Sequence, residues 1–267
     1  MNILRTYSQA ELGQPEVIDF AFGTAIVYTS KSPAKDTPNE DSVSLIGLDD
    51  KTAVFMVADG LGGQPDGDAA SKIAVNTIEK AISQIPDHAN LRDAILDGLE
   101  KSNKNIQDKT PGAATTLLAV EYQNDTIRPY HVGDSMVLIT GQRGKIKLQS
   151  VPHSPVGYAV ESGLLDENEA VHHEERHLVS NVVGSEEMRI EIGSNIKLSK
   201  YDTLIMSSDG LFDNLYVHEI IEITRKGKLE TAARRLVELA RDRMLNPKAG
   251  SPSHADDLSF ILFRPHC

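Results

Sequence analysis

Cysteine is almost absent from this 267-residue sequence, which has a single one, Cys267, and tryptophan is absent altogether. One thiol excludes a disulfide within the chain and a cysteine-based zinc cluster, and it fits a reducing compartment. Apolar runs such as residues 53–58 are far shorter than the roughly 20 residues that cross a bilayer. The first 16 residues hold no apolar stretch of signal-peptide length. We therefore expect a cytoplasmic protein with no membrane partner.

Positive charge is also scarce. Lysine and arginine number 27 against 39 aspartates and glutamates, which gives a formal net charge of −12. Such a surface repels phosphate backbones, which argues against a general nucleic-acid partner, and we expect none. With 40% apolar residues, the chain has an ordinary globular composition and is long enough to bury a sizeable core.

The order of the predicted elements indicates an α+β fold. Strand-like segments come first, two helical patterns follow, and the same alternation repeats before a final strand, which does not suit a βαβ series. The predicted strands are 19–30, 41–47, 52–58, 113–122, 126–132, 136–140, 145–148, 190–198, 202–207 and 258–263, and the predicted helices are 68–85, 91–106, 217–225 and 229–245.

The chain is predicted to form one domain over residues 1–267, with a core of about 20–264. Residues 150–184 form a polar insertion with short helical patterns. This insertion is interpreted as a flap over a site, and a plain surface connection is the alternative.

Acidic residues stand at the ends of several predicted strands. These acids are Glu40, Asp41, Asp59, Asp134, Asp209 and Asp256. Any one of them alone is most simply a turn signal. Several strand ends can meet at one rim, however, and carboxylates brought together there would repel one another unless a cation lay between them. Oxygen ligands select Mg²⁺ or Mn²⁺ over Zn²⁺, and Gly60, without a Cβ, lets its carbonyl turn toward an ion.

Five ordered motifs contain these acids. They are residues 39–41 (Asn-Glu-Asp), 57–63 (Val-Ala-Asp-Gly-Leu-Gly-Gly), 133–135 (Gly-Asp-Ser), 208–213 (Ser-Asp-Gly-Leu-Phe-Asp) and 256–259 (Asp-Asp-Leu-Ser). The type 2C metal-dependent serine/threonine protein phosphatases, the PPM family, have motifs of this kind in the same order, and the chain resembles them. Together with residues 161–184, the motif at 57–63 is similar to the bacterial branch. The resemblance covers roughly residues 20–264.

The resemblance implies an antiparallel β-sandwich flanked by pairs of helices, with a binuclear metal site at one end. Asp59 would bridge two divalent cations, Mg²⁺ or Mn²⁺, and the Gly60 carbonyl would bind one of them. Asp209 and Asp256 would hold the other, so these three aspartates would carry catalysis. The remaining acids have lesser implied roles: Glu40 through water, Asp41 behind the ligands, and Asp134 with Asp209 at a weaker third ion.

The implied reaction is hydrolysis of phosphoserine and phosphothreonine in proteins by a metal-activated water, without a covalent intermediate. Phosphorylated protein substrates and an opposing Ser/Thr kinase are the implied partners. Two alternatives stay open from the sequence: a catalytically weak phosphoprotein-binding or sensor module on the same fold, and a phosphatase of small phosphate esters.

The sequence departs from the family pattern near the phosphate. The arginine that many members carry four residues before the first-motif glutamate is Asp36 here, and Lys35 or Lys31 are possible substitutes that lack bidentate geometry. Leu61 stands where animal members have histidine. Met136 replaces the arginine that usually follows residues 133–135 of the motif, and Asp257 replaces a common asparagine.

Two local patterns point to other functions. Residues 173–177 (His-Glu-Glu-Arg-His) match the zinc-protease motif, which requires both histidines on one face of a helix, but the match is short and no third ligand follows. Residues 60–63 (Gly-Leu-Gly-Gly) suggest a phosphate loop but lack the Lys-Ser/Thr that completes one. We interpret the first as the helical base of the flap and set the second aside.

Overall fold

A computed structural model describes residues 3–61, 66–85 and 90–266. Cys267 and the glycines at 62 and 63, which belong to motifs discussed above, lie outside these residues. The described part contains thirteen strands and seven helices. The strands are β1 (Ile3–Ser8), β2 (Glu16–Phe20), β3 (Gly23–Ser30), β4 (Asp41–Gly47), β5 (Thr52–Asp59), β6 (Leu117–Gln123), β7 (Thr126–Val132), β8 (Met136–Thr140), β9 (Ile146–Gln149), β10 (Glu191–Ile192), β11 (Ile196–Lys197), β12 (Thr203–Ser207) and β13 (Leu258–Pro265). The helices are α1 (Gly67–Ser83), α2 (Leu91–Lys109), α3 (Pro155–Glu161), α4 (Glu167–Ala170), α5 (Asp209–Phe212), α6 (Val217–Thr224) and α7 (Leu229–Leu245).

The strands form two antiparallel sheets. The first has the order β1-β4-β5-β6-β7-β10, with β11 also paired to β7, and the second has the order β2-β3-β13-β12-β8-β9. Side chains alternate between the two faces of each strand, so each sheet contributes one face to the sandwich interior and the other to a helix layer. The second sheet pairs strands from both ends of the chain, because β13 lies between β3 and β12.

Three apolar clusters hold the layers together. The sandwich interior includes Phe55, Tyr122 and Phe263, whose rings pack at centroid distances of 5.1–5.2 Å. A second cluster joins the first sheet to α1 and α2, and a third joins the second sheet to α5, α6 and α7. The α+β sandwich flanked by helices is therefore confirmed, as a single domain with helix layers on both sides.

Four of the predicted elements differ from the structure by more than three residues. The expected strand 113–122 is shorter, because β6 begins only at Leu117. Residues 19–30 are not one strand, because the chain turns at Ala21–Phe22 between β2 and β3. The expected strand 190–198 consists of two short strands, β10 and β11. Residues 173–177 form turns, not the expected helical base of the flap. The bounds of the flap and of the core stay predictions.

No helix in residues 3–61, 66–85 or 90–266 combines the length and the apolar character that a membrane crossing requires.

Candidate metal centre

Two of the predicted acids lie side by side at the end of the first sheet. Asp41 begins β4 and Asp59 ends β5, and the antiparallel register places the two directly opposite each other. The Gly60 amide donates to the Glu40 carbonyl over 3.2 Å, which extends the pairing by one step. Because β4 and β5 are buried along nearly their whole length, their ends carry the acids to one rim of the sandwich.

The backbone of Asp59 is fixed by two threonines that precede β6. Its amide donates to Thr116 Oγ1 over 3.0 Å, and its carbonyl accepts from the Thr116 amide and from Thr115 Oγ1, both over 2.8 Å. All of these contacts use main-chain atoms of Asp59, so its carboxylate remains available to a ligand. These threonines were not predicted, because a Thr-Thr pair in a strand-like segment carries no functional signal of its own.

Gly60 allows the start of α1 to approach the strand ends. A Cβ at Gly60 would lie 2.2 Å from the Gly67 carbonyl oxygen and 2.8 Å from the Glu40 carbonyl oxygen. No side chain fits at this distance, so the close approach requires glycine.

The second sheet supplies the remaining acids from the same end of the sandwich. Asp209 is the first residue of α5, directly after β12, and Asp256 precedes β13, which pairs with β12. The Ser208 hydroxyl donates to Asp41 Oδ2 over 2.9 Å, which links the two sheets at this point. The structure therefore brings together acids that are up to 215 residues apart in the sequence, as from Asp41 to Asp256.

Burial of these acids, and then their mutual repulsion, raises their pKa values. Burial, and then the charges of Asp41, Asp209, Asp256 and Asp134, raise the pKa of Asp59 well above its usual range. Burial and the charges of Asp256, Asp213 and Asp134 do the same to Asp209.

The neighbouring acids follow the same pattern. Burial, then Asp257, raises the pKa of Asp41 to about 8, and burial, then Asp213, raises that of Asp134 to about 7. Each acid thus feels the charge of others in the set, which places Asp134 in the same electrostatic cluster.

The residues present fit hard divalent cations. Asp41 Oδ1 and Asp209 Oδ1 are buried oxygens with no hydrogen-bond partner, and buried polar atoms are rarely left so. The donor set consists of carboxylates and main-chain carbonyls, which is the chemistry that Mg²⁺ and Mn²⁺ prefer. A cation among these carboxylates would satisfy the orphaned oxygen of Asp209 and offset the repulsion that contributes to the raised pKa values.

Lys35, one of the two lysines that could replace the missing arginine, contacts the acid cluster. Its ammonium lies 2.7 Å from Glu40 Oε2 and 2.6 Å from Asp257 Oδ2. Burial opposes its charge, but the hydrogen bonds to Asp257 and Glu40 raise the pKa of Lys35 above its ordinary value. Asp36, which stands at the arginine position, is exposed.

Asp257 organises the loop that carries Lys35, a role that sequence reasoning missed. Its Oδ1 accepts from the Ser32 amide over 2.7 Å, and its Oδ2 accepts from the Glu40 amide over 2.7 Å. A carboxylate with two oxygens can take both amides and the lysine at once. The aspartate in place of asparagine thus adds the negative charge that holds Lys35.

Asp213 is another acid at the same end of the sandwich. It belongs to the motif at residues 208–213, but no role was predicted for it. It pairs with Arg176, which comes from residues 150–184 and also donates to the carbonyls of Val171 and Asp213. Burial raises the pKa of Asp213 although Arg176 lowers it. The insertion is therefore tied to the acid cluster by a charged contact.

Two histidines and a glutamate at the base of the insertion have the composition of a metal site but not its hydrogen bonding. His153 Nδ1 accepts from the Gly133 amide over 3.1 Å and from Asn181 Nδ2 over 2.9 Å. The proton of the neutral ring must then sit on Nε2, which lies 3.0 Å from Glu191 Oε2 and donates to it. His131 stacks on His153 with ring centroids 4.3 Å apart. A metal-bound histidine ordinarily donates from its second nitrogen, whereas His153 Nδ1 accepts, so His153 and Glu191 are better described as a hydrogen-bonded pair. His131 contacts this pair by ring stacking.

The zinc-protease pattern is not supported by the geometry. His173 and His177 are exposed residues in turns, so they share no helical face. The glycine-rich pattern at 60–63 lies half outside the described residues.

The β-sandwich with a rim of buried and half-buried carboxylates defines the class of metal-dependent hydrolases to which the sequence motifs point. The family model for protein phosphatase 2C matches residues 31–246, and the chain belongs to the protein phosphatase 2C family. It is 29% identical over 198 residues to the protein phosphatase PhpP of Streptococcus pneumoniae, covering 71% of this chain and 79% of that protein.

Solved structures have the same fold. The serine/threonine phosphatase of S. agalactiae superimposes with a TM-score of 0.75 at 26% identity, covering 89% of this chain and 97% of that one. The catalytic domain of the phosphatase PstP, in complex with two manganese ions, superimposes with a TM-score of 0.70 at 20% identity over 100% of both chains. The latter comparison shows the fold alone.

Proposed function

We propose that this protein is a metal-dependent phosphatase that removes phosphate from phosphoserine and phosphothreonine in proteins. The observation that carries the proposal is the convergence of Asp41, Asp59, Asp209 and Asp256 from two sheets, with two buried carboxylate oxygens that lack a partner. Family membership supports it.

We assign the proposed metal ligands according to their positions at the rim. The Asp59 carboxyl feels the charges of acids from both sheets and would bridge two Mg²⁺ or Mn²⁺ ions, one of them also held by the Gly60 carbonyl and the other by Asp209 and Asp256. When bound, such ions lower the pKa of water and neutralise charge on the transferring phosphoryl group. Asp134 with Asp209 would hold a weaker third ion.

Other residues hold these ligands in place. Glu40 would act through water, and Asp41, whose Oδ2 accepts from Ser208, would orient the ligands from behind. Thr115 and Thr116 fix the Asp59 backbone through three hydrogen bonds, so the Cα that carries the proposed bridging carboxylate is held at the rim. Preorganisation of this kind limits the rearrangement that binding and reaction require.

Lys35 is proposed as the group that receives the substrate phosphate. Its ammonium is already held at the rim by Glu40 and Asp257, and cations at this rim would compete for the same two carboxylates. A lysine released from one of them can turn a donor toward a phosphate oxygen as a point charge, without the paired geometry of arginine.

The proposed partners are phosphorylated proteins and a Ser/Thr kinase whose products this enzyme dephosphorylates. The alternative of a binding module without catalysis requires retention of Asp59 and Asp209 among other buried carboxylates, with Asp209 Oδ1 left without a partner, which is costly. The cytoplasmic location expected from the sequence stays a prediction.

The test is turnover of p-nitrophenyl phosphate and of phosphoserine and phosphothreonine peptides with Mn²⁺ and with EDTA. We expect activity only with Mn²⁺, and loss of at least about 10²-fold in kcat for Asp59→Asn and Asp209→Asn. The exposed Asp97→Asn on α2 is the matched control and should behave as wild type. Wild-type turnover in both site variants would refute the assignment, and turnover of the small ester without any peptide turnover would favour small phosphate esters as substrates.

A further inference from the structure

A cavity of about 530 Å³ adjoins the acid cluster. It lies between α3 and α4 on one side and the β8–β9 edge with α5 and α6 on the other. Asp134, Asp209 and Asp213 line one end of it. The space that would receive a phosphate at the acids and this cavity are therefore continuous.

Away from the acids the cavity is walled by apolar side chains. Val156 and Val160 are one helical turn apart on α3, and both line it. Phe212 and Ile221 face them from α5 and α6, and Met136 contributes from β8. A volume of this size lies within the range of about 300–1,000 Å³ that is typical of ligand sites.

Charge at the cavity disfavours an acidic occupant. Its two exposed rim carboxylates, Glu161 and Glu167, add negative charge to that of the acid end. The arginine that lines it, Arg176, is already paired with Asp213. An acidic side chain would thus meet like charges, whereas an apolar one would remove the valine and phenylalanine walls from water.

We propose that this cavity receives an apolar side chain of the phosphoprotein substrate, from a residue within three positions of the phosphorylated one. The inference rests on the proposed phosphatase function and adds to it a sequence preference. An extended peptide advances about 3.3 Å per residue, so three residues reach about 10 Å from the phosphate. Because the acids line the cavity directly, we place the apolar residue within this reach of the phosphorylated one.

The first test is a peptide scan with the Mn²⁺-loaded enzyme. In one phosphothreonine peptide, each of the three positions on either side of the phosphorylated residue is changed in turn to leucine or to asparagine, which has a similar shape but a polar end. We expect kcat/KM to be at least about tenfold higher for leucine at one of these positions, since differences in apolar side chains in a pocket commonly reach that size. Equal values for leucine and asparagine at all six positions would overturn the inference. Such a result would leave the proposed function standing, because the peptides would still be hydrolysed.

The second test assigns the preference to the cavity. Val160→Asn and Val171→Asn place an amide in its walls, and both valines are half-buried, so folding is checked by thermal melting. Val237→Asn on α7 is the matched control, a half-buried helical valine outside the cavity. We expect the leucine-to-asparagine ratio to fall toward one in the cavity variants and to stay at its wild-type value in the control. An unchanged ratio in folded Val160→Asn and Val171→Asn would refute the cavity as its source, and if neither folds, the peptide scan decides.

Discussion

Replacement of Asp134 by asparagine should stabilise the protein when metal is removed. Asp134 is 8% exposed, and burial together with the charges of Asp213 and Asp256 raises its pKa to about 7. The unfolded chain keeps the ordinary value of 3.8. Above pH 4 the unfolded state therefore releases a proton that the folded state retains, so the metal-free protein loses stability as the pH rises from about 4 to 7.

The size of this loss follows from the two pKa values. A difference between 3.8 and about 7 corresponds to at most roughly 4 kcal/mol at high pH. Asparagine has nearly the same shape and no charge, so Asp134→Asn removes this cost. For a chain of this length, each kcal/mol moves the melting temperature by about 2–4 °C, and we expect an increase of at least about 2 °C at pH 8.

The assay is thermal unfolding at pH 5 and pH 8 in EDTA and in Mn²⁺. In EDTA the advantage of Asp134→Asn over wild type should be larger at pH 8 than at pH 5. In Mn²⁺ the advantage should shrink, because the cation stabilises the wild-type carboxylate. The exposed Asp97→Asn should show neither effect. A metal-free variant that melts at or below wild type at pH 8 would refute the charge-crowding argument.

Further predictions concern three other positions. Lys35→Met should raise the KM for p-nitrophenyl phosphate about tenfold or more, because a charge-assisted contact is lost, and an unchanged KM would remove Lys35 from phosphate binding. Gly60→Ala should lower stability by about 1–3 kcal/mol, since its Cβ would lie 2.2 Å from the Gly67 carbonyl oxygen. Gly13→Ala, with open space around it, is the control, and equal denaturation midpoints would contradict the close packing. Burial lowers the pKa of His131 to about 3; the unfolded state thus binds the proton first, and stability falls as the pH drops below about 6.5. His131→Phe should reduce this acid dependence, and the same pH profile in both proteins would count against a buried neutral ring.

The fold was predictable where the apolar pattern is strong. The predicted segments 126–132, 136–140 and 229–245 coincide with β7, β8 and α7. The strand β8 is a short, continuously apolar run, and α7 repeats its apolar residues at helical spacing, so both patterns are strong. Strand β1 was missed since it lies at a sheet edge and most of its residues are polar and partly exposed. The turn at Phe22 was hidden because this apolar side chain packs into the core, with its ring 4.5 Å from that of Tyr122.

In the candidate site, too, some features were predictable from the sequence and others were not. Acids next to buried strands could be found from the sequence, because a strand end places its neighbour at the rim. The pairing of Lys35 with Asp257 spans 222 residues and depends on how β13 lies beside β3. Sequence spacing carries no information on such a contact. Likewise, the link between Arg176 and Asp213 arises only when the insertion folds over the second sheet.

The account depends most on whether the rim of the sandwich binds divalent cations through these aspartates. Anomalous diffraction from a crystal of this protein grown with Mn²⁺ measures this directly. We predict two strong manganese peaks, one shared by Asp59 and Gly60 and one by Asp59, Asp209 and Asp256. Aspartate side chains that point apart with no manganese between them would contradict the account.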